Sequence, residues 1–77
     1  MGIHDIPGEN VGFKIIGATF VNENEAVVLG ELKSPTDSRF VTWIWSKQGD
    51  FYWGHYHDSK SVAYKDYFAR INDSVGK

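Results

Sequence analysis

Two ring-rich runs separated by a short polar turn constrain this chain more than any other feature. The first is Phe40-Val41-Thr42-Trp43-Ile44-Trp45 and the second is Phe51-Tyr52-Trp53-Gly54-His55-Tyr56. Between them lie the turn residues Lys47-Gln48-Gly49-Asp50. β-Branched and aromatic residues bounded by a turn cluster read as a β-hairpin. Ten of the twelve aromatic residues fall between Phe40 and Phe68. That is more ring surface than a domain of this size needs for its core.

Size explains why rings are used at all. A chain of 77 residues is read as one domain, 1–77. So short a chain buries only somewhat more than ~60% of its unfolded surface. Small folds of this kind lean on disulfides, metals or partner subunits. With no cysteine, disulfides and thiolate metal sites are excluded. Aromatic side chains, each burying roughly 150–250 Å², are the remaining route to a core.

Strand and turn signals extend the hairpin in both directions. Residues 1–11 read as a loose leader, with turn chemistry at Pro7-Gly8-Glu9-Asn10. Strands are expected over 12–21, 26–33, 39–47 and 50–57. They are separated by Asn22-Glu23-Asn24-Glu25, by Ser34-Pro35-Thr36-Asp37-Ser38 and by the hairpin turn. Connections this short make neighbouring strands antiparallel. The period then changes to about 3.6. Ala63, Tyr64, Tyr67, Phe68 and Ile71 form one stripe of a helix expected over 58–73, capped by Asp58 or Ser59. Asp66 and Arg70 form an i,i+4 pair on its expected outer face. The expected fold is α+β: a twisted four-stranded antiparallel meander, open to curling into a half-barrel, with one C-terminal helix on one face.

Register sharpens this picture. A two-residue Gln48-Gly49 turn pairs Lys47 with Asp50, Trp45 with Tyr52, Ile44 with Trp53, Trp43 with Gly54 and Thr42 with His55. One surface then carries Val41, Trp43, Trp45, Tyr52 and Tyr56. The other carries Phe40, Thr42, Ile44, Phe51, Trp53, His55 and His57. Gly54 opposite Trp43 lets the indole lie over bare backbone. The same exercise around Glu23-Asn24 puts Ile16, Ala18, Phe20, Val27 and Leu29 on one surface. Phe13, Ile15, Val21, Ala26, Val28 and Leu32 then share the other. Both surfaces are apolar, and one short helix covers only one of them. The second must curl on itself, take the leader, or meet another protein. A slip of one residue at either turn exchanges the faces.

Most chemistry is unsupported by motif. There is no nucleophile elbow, phosphate-binding glycine loop or His-Glu-x-x-His sequence, so no enzyme, cofactor or small-molecule substrate is expected. His55 and His57 share a strand face, but zinc needs a third ligand such as His4 or Asp58, and no metal site is expected. Net charge is −2, divided as −4 over residues 1–38 and +2 over 39–77. Duplex binding rests on a basic surface that this distribution lacks. No apolar run is long enough to span a membrane, and Met1 to Pro7 lacks the marks of a secretory signal. A cytoplasmic location is expected.

Phe40-Val41-Thr42-Trp43, Tyr52-Trp53-Gly54-His55-Tyr56 and Ala63…Tyr67-Phe68-Ala69-Arg70 resemble short proteins of bacterial phages, prophages and plasmids, mainly from Gram-positive hosts. The likeness covers the last half of the chain. It implies an accessory protein that binds and blocks or redirects a host protein, and it carries over no catalytic residue. The expected function is non-enzymatic protein binding, through the sheet face that the helix leaves open. That face is assigned to Phe40, Ile44, Phe51, Trp53, His55 and His57, with Trp43, Trp45 and Tyr56 as core. Two alternatives are a single-stranded nucleic-acid binder stacking bases on the hairpin and an obligate two-fold homodimer.

Overall fold

A computed structural model describes residues 6–33 and 38–75. Five strands run in chain order: β1 (Glu9–Asn10), β2 (Phe13–Phe20), β3 (Glu25–Lys33), β4 (Ser38–Ser46) and β5 (Phe51–His57). Helix α1 (Lys60–Val75) follows. The strands form one antiparallel sheet in the order β1-β2-β3-β4-β5. The α+β class and the meander are as expected; the fifth strand is not. Glu9 and Asn10, read as leader, pair with Lys14 and Phe13. Val11 (φ 45°) and Gly12 (φ 87°) make the tight turn between them, and two positive φ values suit a two-residue hairpin.

Both long hairpins close through loops of three residues, one more than expected. At the β2–β3 turn, Val21 N donates to the Glu25 carbonyl, so the loop is Asn22-Glu23-Asn24. The Asn22 side-chain oxygen accepts from the backbone N–H groups of Asn24 and Glu25 at 2.8 and 2.9 Å. At the β4–β5 turn, Ser46 N donates to the Asp50 carbonyl, and Gly49 takes φ 103°. A left-handed residue closing a three-residue loop is a common hairpin solution. Phe20 therefore pairs with Ala26 and Ala18 with Val28. Trp45 pairs with Phe51 and Ile44 with Tyr52.

A bulge then restores the expected pairing at the far end of β5. Trp53 and Gly54 together oppose Trp43, after which Thr42 pairs with His55, Val41 with Tyr56 and Phe40 with His57. The Trp43 indole lies against Gly54, where an added Cβ would come within 2.8 Å of Nε1. A second bulge at Ile16 bends β2, since an extra residue locally increases twist. Gly30 lets Phe13, Trp43 and Val41 approach within 3.1–3.2 Å of where its Cβ would stand.

The sheet curls into a half-barrel, and that is how its second face is handled. Phe13 of β2 and Tyr56 of β5 meet at 5.9 Å between ring centroids, although two strands separate them. Phe13, Ala26, Val28, Val41, Trp43 and Trp45 are buried on this inner face, and Ile6, Phe20 and Phe51 pack against them. Edge-to-face ring pairs join Trp43 to Phe51 and Trp45 to Phe20, a favoured aromatic geometry. The Trp45 Nε1 is buried without a hydrogen-bond partner.

Helix α1 covers the opposite face, where Val27, Leu29, Phe40 and Ile44 pack with Ala63 and Tyr67. The Ser59 carbonyl accepts from Ala63 N at 3.0 Å, so of the two expected caps, Asp58 and Ser59, it is Ser59 that opens the helix. Tyr67 also reaches Thr19 of β2, with 2.9 Å between the two hydroxyl oxygens. Of the expected stripe, Ala63 and Tyr67 are buried and Tyr64 and Ile71 partly so, while Phe68 is 58% exposed. The division of faces is therefore the reverse of the expected one: the helix lies over Phe40, Thr42 and Ile44.

Candidate functional site

The reason for that reversal is polar. Asp66 and Arg70, expected on the outside of α1, both turn inward onto the sheet. The fully buried Thr42 hydroxyl donates to Asp66 Oδ2 at 2.6 Å. Arg70 Nη1 donates to Thr42 Oγ1 at 2.9 Å and to the Thr42 carbonyl at 3.1 Å. His55 Nδ1 and His57 Nε2 each approach Asp66 Oδ2 at 3.1 Å. A carboxylate only accepts, so both ring nitrogens carry their proton there. A buried polar group without partners is costly, and this face supplies partners for Thr42. Among the described residues the Trp43–Trp45 face shows no equivalent set, and the buried Trp45 Nε1 has no hydrogen-bond partner.

The cluster sets the electrostatics of the helix–sheet seam. Burial works to raise the Asp66 carboxyl. Hydrogen bonds from Thr42, His57 and His55, with the His55 charge, outweigh it and hold the group below the ordinary carboxylate value. Burial lowers the Arg70 guanidinium, against the pull of Asp66. His55 and His57 are thus brought together by a carboxylate rather than by a third metal ligand. Asp58 is exposed, and His4 lies outside the described residues. Among the described residues no group of three His, Cys, Asp or Glu side chains is arranged to hold a metal ion.

Of the six residues assigned to the open face, the structure leaves one aromatic in water. Phe40 and Ile44, 5% and 7% exposed, lie under the helix and not on a free surface. Phe51 is on the inner face against Trp43, because the three-residue loop shifts it across the strand. His55 and His57 point to Asp66. Trp53 stands 72% exposed. Tyr56, expected in the core, is 61% exposed, although its ring meets both Phe13 and Trp43.

Trp53 and Tyr56 belong to β5, the edge strand of the half-barrel. Trp53 has φ 56°, a left-handed conformation that costs an L-residue roughly 1–2 kcal/mol. The bulge turns its ring onto the Tyr52 ring, edge to face at 5.0 Å. Tyr52 in turn donates its hydroxyl proton to the Glu25 carboxylate. That bond, then one from Asn22, holds Glu25 below the ordinary carboxylate value, and the same contact raises the Tyr52 phenol. Tyr52, Glu23, Glu25 and Asp50 help to line an open concavity of about 710 Å³ where the two three-residue loops meet. The pattern of alternating residues puts Trp53 on the open face but does not set it apart from Phe40, Ile44 and Phe51. The one legible signal that does is the Gly54 that follows it in an otherwise continuous strand, since glycine in a strand often marks a bulge.

Comparison with known proteins returns no matching family model, no matching curated protein and no matching solved structure. Among the described residues no helix is long and apolar enough to cross a membrane.

Proposed function

We propose that this chain is a small non-enzymatic protein-binding module whose contact surface is the β5 edge, with Trp53 as its anchor. The observation that carries the reading is Trp53 itself: a bulky ring held in a left-handed backbone conformation and left largely in water. Strain of this kind persists where the surrounding structure enforces it, and it concentrates at functional sites. Exposed Trp and Tyr on a rigid strand are efficient anchors for a partner. Tyr56 extends the edge on the inner side of the sheet. An accessory role on a mobile genetic element, acting on a host protein, agrees with this reading.

The two alternatives fit less well. Base stacking needs cations beside the rings, and the concavity next to Tyr52 and Trp53 is lined by carboxylates. An obligate dimer needs a large surface hidden between copies. The second apolar face, which would supply it, is curled inward, with Phe13, Trp43 and Trp45 buried within the chain.

Substitution of Trp53 by glycine tests the reading. It relieves the left-handed strain, forfeits the Tyr52 contact and adds backbone entropy, so stability stays within about 1 kcal/mol of wild type. A host protein retained by the immobilised wild-type chain and lost from Trp53→Gly supports the assignment. Equal retention by the two chains refutes it.

A further inference from the structure

We infer that the partner of the β5 edge presents an arginine or lysine side chain to the hairpin end beside Trp53. This rests on the reading of that edge as a protein-binding surface. Successive side chains on a strand normally point to opposite faces. The bulge breaks that rule, and the Trp53 and Tyr52 rings meet at 5.0 Å. The indole therefore packs against the ring of Tyr52, and Tyr52 lines the concavity between the two loops.

That concavity is one-sided in charge. Glu23, Glu25 and Asp50 line it, and among the described residues none of those lining it is basic, although Lys47 follows in the adjoining loop with its N–H on the Asn24 carbonyl. Glu25 is held as carboxylate by the Tyr52 hydroxyl and Asn22. The face of an indole attracts a guanidinium or ammonium group, and three carboxylates beyond it deepen the attraction. An anionic segment would meet repulsion at the same place. Area argues against a second copy of this chain as the occupant. Two rings cover no more than roughly 500 Å², whereas a stable interface hides about 800 Å² on each partner. A short cationic segment of another protein matches both the charge and the size.

Hexa-arginine, hexalysine and hexaglutamate serve as probes for the full chain, followed by tryptophan fluorescence and backbone amide shifts. The cationic peptides are expected to bind with shifts centred on Asn22 to Glu25 and Ser46 to Trp53, and to weaken as salt is added. Hexaglutamate is expected not to bind. Glu23→Gln and Asp50→Asn should each lower affinity roughly two- to fivefold, the scale of an exposed charge pair. Glu9→Gln, on β1 at the other edge of the sheet, should leave it unchanged. Failure of both cationic peptides to bind at millimolar concentration overturns the inference. So does equal binding of peptides of either sign, or a shift pattern centred elsewhere. If a host protein is lost from Trp53→Gly but held undiminished by the Glu23→Gln, Asp50→Asn double variant, the edge assignment stands and the basic partner falls.

Discussion

Replacing Thr42 by valine interrogates the face on which the helix sits. Valine keeps the shape and β-branching of threonine, so no cavity opens and the strand is not disturbed. What is lost is one donor and one acceptor, at a position with no solvent exposure. The hydroxyl bonds Asp66 Oδ2 at 2.6 Å and accepts from Arg70 Nη1 at 2.9 Å. A hydrogen bond to a charged group contributes roughly 1.5–3 kcal/mol. Asp66 keeps its two imidazole donors, and Arg70 keeps the Thr42 carbonyl. The expected loss is therefore about 2–3 kcal/mol, below the sum of two full bonds. For a domain of this size each kcal/mol moves Tm by about 4–8 °C. Urea unfolding followed by tryptophan fluorescence measures the loss, with the m value unchanged. In an Asp66→Asn background the effect of Thr42→Val should shrink, because the two side chains share one network. A loss under about 0.5 kcal/mol, the range of ordinary surface substitutions, would refute the reasoning. It would mean that Thr42 faces water and that the helix covers the tryptophan face instead.

The remaining predictions concern the seam, the bulge and the turn. The carboxyl of Asp66 is lowered in the folded state, so its contribution is fully present above the unfolded value of 3.8 and is lost as pH falls through the folded value. Acid unfolding monitored by circular dichroism should thus show a stability loss below about pH 4 that is reduced in Asp66→Asn. Gly54→Ala forces a methyl group within 2.8 Å of Trp43 Nε1 and 3.0 Å of its Cδ1, and should cost about 1–3 kcal/mol in urea unfolding. Asn22→Ala removes the acceptor for two turn N–H groups and should cost about 1 kcal/mol by the same measurement.

The alternation of apolar and polar residues told which side chains share a strand face, and on β3 and β4 the structure keeps that grouping. Val27 and Leu29 oppose Ala26 and Val28, and Phe40, Thr42 and Ile44 oppose Val41, Trp43 and Trp45. It was less informative about how faces combine across strands. Asn22 and Gly49 close three-residue loops, and each extra residue moves one strand by a step. Phe51 thereby leaves the side of Ile44 for that of Trp45, and Ala18 and Phe20 join Val28. The candidate site suffered most from this. Alternation places Trp53 in a broad face with Phe40 and Ile44, whereas in the structure those two are core and Trp53 is exposed.

By itself the sequence determined the α+β class, the antiparallel meander and the C-terminal helix, because these rest on local periodicity and turn chemistry. Tertiary structure decided which sheet face meets the helix, and it did so through a long-range set of polar contacts. Both sheet faces are apolar enough to receive α1, so hydrophobic patterning alone leaves the choice open. Only one of them places the Thr42 hydroxyl and two imidazoles against Asp66 and Arg70; on the other face these two helix side chains would be buried without those partners, which is costly.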